Sequence, residues 1–518
     1  MPTALHDAHS TPVCEKGLRV PEFIVEEPRD RPSGEPEGGP TRATAHISTQ
    51  SDPVPVVGGA TGLIVFASVL GLFAALQHTL ALPIVLAQFG PRPSADPVGA
   101  AWAASLTWLL TAAAAPTAGA LSDRFGRRPV IVVCVSALIL GSVVGPLGQG
   151  YVAELTTVLL GRALQGIGAA VVPVLFAAIR DFVPTRRRNI AIAAAGAAIG
   201  VGGVLGIPLT TAAFPALGWR PIFLISAAAS VLLLIAIPFC VPTGAERNRA
   251  RPQVLRVSMF TLTTVTAVVG TIMGALTGWT SPGFLLLVGV TVLAWVVTTV
   301  ADARARRAAP GAITLSRVLA LHAVALLLGF IVLANALVTA LQLQEEQFGP
   351  LHLSVLAPAL TLVLLAAVMF FVAPLGAVIA DRFRPSRVLV VGGVTSLVGL
   401  ILRVTVSPTE LYALVWVVLT AIGVALATAA VPMIVNEVTS AAAAGAVLGR
   451  HQSLRLLGVA IAAAVTVSVT LHSVTQAEDR QVPDWTAFTV ILLVAAGAAA
   501  VVTALSLFLA SPRRRRAD

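Results

Sequence analysis

The chain has 518 residues, of which 57% are hydrophobic and only 11% charged, with a mean hydropathy of +0.90. A soluble domain carries about 25% charged residues, so this composition excludes one and implies a polytopic membrane protein. The net charge of +10 could suggest a nucleic-acid partner, but the placement of the basic residues argues against one.

Residues 1–55 are rich in Pro, Glu, Arg, Ser and Thr without apolar periodicity, which predicts a disordered cytoplasmic tail. Fourteen apolar runs follow, at about 57–88, 98–121, 129–147, 154–178, 190–215, 221–241, 258–279, 282–301, 315–342, 355–379, 387–407, 411–435, 445–472 and 486–510. At ~1.5 Å per residue each can cross a hydrocarbon layer of ~30 Å. The first begins too late for a signal peptide. With 19 Phe, 7 Trp and 2 Tyr and no strand-like alternation, the runs read as helices rather than a β-barrel.

The 34 Lys and Arg sort by loop: 5 precede the first run, 24 flank the even-numbered loops or close the chain, 3 (Arg92, Arg220, Arg480) lie in odd-numbered loops, and two, Arg162 and Arg403, lie inside runs. Short-loop Lys and Arg set orientation in a bilayer, so both termini are expected in the cytoplasm, with residues 511–518 as a basic tail. All but one of these residues are Arg, and Ala is abundant, an association that points to a bacterial plasma membrane. Cys14, Cys134 and Cys240 are isolated, so no disulfide, metal site or cofactor is implied.

The stretch "LSDRFGRRPVIVV" (121–133) returns as "IADRFRPSRVLVV" (379–391), 258 residues later, each at the end of one run and the start of the next. Two halves of parallel topology follow, related by an axis along the membrane normal. Eight runs separate the copies, which fits six helices per half plus two extra. The expected domains are a six-helix bundle over 57–241, two accessory helices over 258–301 and a second bundle over 315–510, with the linkers 246–256 and 302–310 between them.

These residues resemble the major facilitator superfamily, in particular its fourteen-helix drug:proton antiporter branch, over residues 57 to 510. "GALSDRFGRRP" (119–129) is similar to the family's signature between helices 2 and 3, "LLGRALQGIGAA" (159–170) to the helix 4 signature R-x-x-Q-G, and "GWRPIF" (218–223) to the start of helix 6. The helix 5 signature G-P-x-x-G-G has a counterpart in "GVGGVLGIPLTT" (200–211), with its Gly-Pro step altered. Where helix 1 ordinarily carries an aspartate before a Thr, this chain reads "LQHTLALP" (76–83). The resemblance implies an all-α major facilitator fold of two six-helix bundles plus two accessory helices. It also implies secondary active, proton-coupled export of a small apolar or cationic compound such as an antibiotic, by a monomer without enzymatic activity.

Gly119, Asp123, Arg124, Gly126, Arg127 and Arg128 are expected to form a cytoplasmic gate, with Asp123 accepting from helix N-termini or arginines and Arg127 and Arg128 pairing with carboxylates across the seam between bundles. A plain positive-inside anchor is the alternative. Asp381, Arg382 and Arg387 form a second, unequal copy. Gly196, Gly200, Gly202, Gly203, Gly206 and Pro208 are expected to give a closely packed helix seam.

No Asp or Glu falls at the centre of a run, so the titratable candidates on the substrate and proton pathway are His78 and His322, with Glu346 and Glu437 behind them and Gln77 and Thr79 lining the same cavity. Arg403 is expected to snorkel to the outer interface. Arg162 is too deep for that escape, so it is expected to face a wet cavity or a partner, with Gln165 sharing its face. An uncoupled carrier or importer of the same fold, and a transport-inactive sensor or scaffold, are the rival readings.

Overall fold

A computed structural model describes residues 61–63, 65–66, 69, 97–197, 218–243, 254–307, 314–342, 356–406, 410–439, 443–472, 474–477, 480–483 and 485–511. Among the described residues the apolar runs fold as helices, because in hydrocarbon every backbone N–H and C=O has to be satisfied within its own segment. In chain order these are α1 (Pro97–Phe125), α2 (Arg127–Val144), α3 (Tyr151–Ala169), α4 (Val171–Phe182), α5 (Arg220–Cys240), α6 (Val254–Thr277), α7 (Pro282–Arg307), α8 (Leu315–Gln342), α9 (Leu356–Phe383), α10 (Pro385–Thr405), α11 (Glu410–Val438), α12 (Ala444–His472) and α13 (Trp485–Ala510). Residues 185–197 are also helical. Ten helical segments among the described residues have the length and hydropathy to span a bilayer.

Three features depart from the sequence expectation. The fourth run is two helices end to end, broken at Ala170: the ring of Pro173 clashes with the carbonyl four residues back, that of Ala169. Residues beyond the thirteenth run, expected as a plain loop, form an antiparallel hairpin of β1 (Val474–Ala477) and β2 (Arg480–Pro483), with Val474 opposite Pro483. Arg450 and Arg455, expected to flank a loop, lie inside α12.

In the first half α2 packs on α3 and α5, and α1 on α3; in the second, α10 packs on α11 and α13, and α8 on α12 and α13. The accessory helix α6 packs against α7, α1 and α12, while α7 leaves Leu285, Leu286 and Leu293 exposed. Exposed apolar side chains are ordinary for a surface solvated by lipid.

The halves meet along α1 and α12, which run antiparallel. A Cβ at Gly119 would overlap the carbonyl oxygen of Gly445, and one at Gly449 that of Ala115, while the Ser453 hydroxyl donates to the Ala112 carbonyl at 2.6 Å. Small residues one turn apart on both helices thus let the two backbones touch. The expected seam, by contrast, is not tight at Gly196, where an added Cβ would meet open space among the described residues. Gly200, Gly202, Gly203, Gly206 and Pro208 lie outside the described residues.

Candidate functional site

The two repeat copies lie at the same end of the helices, termed the basic end below. There α1 delivers Asp123 beneath the first turn of α12, whose free backbone amides have no intrahelical acceptor. The carboxylate takes the Gly445 N–H on Oδ1 at 3.0 Å and the Ala446 N–H on Oδ2 at 2.8 Å. The helix dipole adds a favourable positive field. On its other side Oδ1 accepts from Arg127 Nη1 at 2.5 Å, and the Arg127 Nε donates to Asp181 on α4 at 2.7 Å. Arg127 is only 4% exposed, so each charge is compensated without help from water.

This geometry corrects the expected division of labour. Arg127 pairs with Asp123 and Asp181, both within its own half, and the group that crosses the seam is Asp123. Arg124 is exposed over the Phe125 ring, and neither Arg124 nor Arg128 forms an ion pair among the described residues. Gly126 supplies the turn into α2 with φ 95°.

The second copy also crosses, by a weaker contact: Asp381, exposed at the end of α9, accepts from the Asn189 side chain at 2.7 Å. Arg382 and Arg387 are exposed. The sequence reading missed Arg180, whose Nη2 donates to the Thr439 carbonyl and adds, at the basic end, a third bridge between the halves.

Arg162 is 1% exposed. Its Nη1 donates to Gln165 Oε1 at 3.3 Å, and Gln165 in turn donates to Ser142 at 3.1 Å. Thr107 and Thr111 of α1 donate to the Arg162 and Gly166 carbonyls, both at 3.0 Å, which fixes α3 against α1. Arg162 and Gln165 therefore share a face, as their spacing predicts. His78, Gln77, Thr79 and Glu346 lie outside the described residues.

Arg403 does not snorkel. It is 2% exposed and turned into the second half, with Nη1 donating to Asn335 at 2.7 Å and Nη2 to Gln342 at 2.5 Å, both on α8. Those amides replace water, so the guanidinium can stay inside. Glu437 is exposed at the basic end of α11 rather than facing a cavity. His322 is partly buried and lines a small cavity of about 30 Å³ with Val435, Val447 and His451, the last of which the sequence reading missed.

Also missed was a charge cluster tying the accessory pair to α12: Asp302 of α7 accepts from Arg450 at 2.6 Å and lies 3.1 Å from Arg256 of α6. The three are widely separated in the chain and belong to no local motif, so nothing in the sequence joins them.

The family model for the major facilitator superfamily matches residues 61–257 and 244–463. The chain belongs to the major facilitator superfamily. Members of this family are transporters and not enzymes, and the chain is a multi-pass membrane protein. An uncharacterised MFS-type transporter of Mycobacterium tuberculosis is 30% identical over 262 residues, 49% of this chain and 37% of that protein. A probable actinorhodin transporter of Streptomyces coelicolor is 28% identical over 266 residues, 50% of this chain and 44% of that protein. A triacylglyceride transporter of Mycobacterium tuberculosis is 33% identical over 147 residues, 27% of this chain and 28% of that protein. The chain thus spans less than half the length of these curated relatives. Among solved structures, the human organic anion transporter MFSD10 (TETRAN) superposes with a TM-score of 0.61 at 17% identity, covering 86% of this chain and 99% of that one, a likeness of fold.

Proposed function

We propose that this transporter exports a small, largely apolar organic compound from a bacterial cytoplasm by alternating access, with protons moving inward. The basic end is the cytoplasmic side, residues 57–241 and 315–510 are the two rocking bundles, and 258–301 are accessory. The observation that carries this reading is the reach of Asp123 across the seam to the amides of Gly445 and Ala446. A contact made only when the halves are together at that end has to break before the cytoplasmic side can open. That makes it a latch for one of two states.

The export direction draws on the resemblance of the Arg162 and Gln165 motif to exporters and on the actinorhodin transporter among the relatives. Proton coupling draws on His322 and His78, because no acid lies at the centre of any run.

Inverted membrane vesicles containing the full chain test the reading. A panel of fluorescent lipophilic compounds is added to respiring vesicles, and accumulation is followed with and without a protonophore. Protonophore-sensitive accumulation of at least one compound, absent in Arg162→Ala, is expected. Accumulation indifferent to the protonophore favours the uncoupled carrier, and none with any compound favours the scaffold. Removing residues 1–55 is expected to leave accumulation intact.

A further inference from the structure

All fourteen apolar runs are without an Asp or Glu at mid-membrane, yet three of them carry an Arg well inside the run: Arg162, Arg403 and, in α12, Arg455. Placing an Arg at a helix centre costs on the order of 3 kcal/mol, so each needs a compensating group. Arg162 has Gln165, and Arg403 has Asn335 and Gln342. Arg455 has no hydrogen bond or ion pair among the described residues, although it is partly buried twelve positions into α12.

Its position is set by backbone packing. Gly329 and Gly458 bring α8 and α12 together so closely that a Cβ on Gly329 would overlap the Arg455 carbonyl oxygen. The antiparallel pairing of α1 with α12, Gly119 by Gly445 and Ala112 by Ser453, puts Thr107 level with residue 458. Thr107 bonds the Arg162 carbonyl, so Arg162 and Arg455 lie within about one helical turn of the same depth, on opposite halves.

One turn from Arg455, towards the basic end, His451 shares its face of α12. That imidazole is 8% exposed, lines the small cavity with His322, and its Nδ1 is buried without a hydrogen-bond partner. A buried polar atom left unmatched calls for a cause, and a polar ligand supplies one. Among the described residues a cationic compound would find repulsion and no counter-charge at this depth, whereas an acidic group would find a guanidinium and an imidazole.

Resting on the transporter reading, we infer that the exported compound carries an acidic group, and that Arg455 and His451 of α12 recognise it. Export of an anion is favourable in a cell with a negative interior, because the anion leaving and a proton entering move charge the same way.

Three probes that differ only in charge test this: 9-anthracenecarboxylate, 9-anthracenemethanol and protonated 9-(aminomethyl)anthracene, titrated into the purified full-length protein by fluorescence. The carboxylate is expected to bind at least about tenfold more tightly than the ammonium, the scale of one hydrogen bond to a charged group. Arg455→Gln is expected to lower carboxylate affinity to that of the alcohol, and Arg455→Lys to keep most of it. His451→Gln is expected to give a smaller loss. Unchanged affinity for the alcohol in each variant reports an intact fold. Equal or tighter binding of the ammonium, a carboxylate preference that survives Arg455→Gln, or binding of none of the three overturns the inference. Carboxylate binding without vesicle accumulation would count against transport while leaving the charge preference standing; accumulation of the ammonium alone would do the reverse.

Discussion

Arg384 occupies the backbone position that Gly126 occupies 258 residues earlier, and both have positive φ, 76° and 95°, at the residue before α10 and α2 respectively. The repeat is therefore kept in the backbone where its sequence has diverged. With ψ 142° and 160°, both residues are in a region that only glycine enters without steric cost, and Arg384 is the one non-glycine residue with positive φ among the described residues. Such a conformation costs of order 1–3 kcal/mol. Since glycine loses about 0.5–1 kcal/mol more conformational entropy on folding, Arg384→Gly is expected to stabilise the protein by ~1 kcal/mol. Gly126→Ala is expected to destabilise it. Thermal unfolding of the purified variants measures both; a melting temperature for Arg384→Gly at or below that of the parent contradicts the argument.

The latch carries the second prediction. Asp123→Ala removes the acceptor for two α12 amides and one of the two carboxylates beside buried Arg127. The pair with Arg127 lies within one half and is lost in either state, so what the closed state alone loses is the two amide hydrogen bonds to the carboxylate, about 1.5–3 kcal/mol each. In a background with the native cysteines replaced, Val447→Cys is expected to react with a bulky maleimide applied at the basic end several-fold faster once Asp123 is Ala. Equal rates would mean that Asp123 does not hold the halves together.

The fold was legible because the hydrocarbon layer imposes length and polarity on every span, and because the 121–133 and 379–391 copies fixed the symmetry. The Arg162 and Gln165 face was legible from helical spacing alone. Arg403 was misread because a position near a helix end does not reveal that Asn335 and Gln342, on another helix, point at it. Arg127 was given the wrong partner for the same reason: Asp181 lies on its own half, a fact of packing rather than of spacing. The Asp302 cluster and the unmatched His451 are likewise properties of helices brought side by side.

The Asp302 cluster predicts that the accessory pair is held to the second half by charge at the basic end. Asp302 and Arg450 are 5% and 7% exposed, so their attraction is little weakened by solvent. A double-mutant cycle with Asp302→Asn and Arg450→Gln is expected to show coupling of at least ~1.5 kcal/mol in thermal unfolding, well above the ~0.2–1 kcal/mol of an exposed pair. The double variant is expected to cost less than the sum of the single ones, and Asp302→Asn more than Arg450→Gln, because it takes the carboxylate from both Arg450 and Arg256 whereas Asp302 keeps Arg256 when Arg450 is changed. Additive effects would mean that packing alone holds α6 and α7 in place.

Arg162 gives the last test. Its burial, with the neutral Gln165 accepting from Nη1 and Gln165 tied in turn to Ser142, shows a charge kept inside at a cost. If the charge serves only packing, Arg162→Met, which keeps an unbranched chain of similar reach, is expected to leave transport unchanged. If it serves the transport cycle, Arg162→Ala and Arg162→Met are both expected to lower accumulation in inverted vesicles by about 100-fold, the effect of losing ~2.7 kcal/mol from a rate-determining state. Membrane abundance and melting temperature are expected to hold or rise, since removing a mid-membrane charge eases insertion. Arg162→Lys separates charge from shape: a flexible ammonium cannot offer the planar fork, so partial activity assigns the role to charge and none assigns it to the geometry of the guanidinium. Full transport by Arg162→Met would remove Arg162 from the pathway.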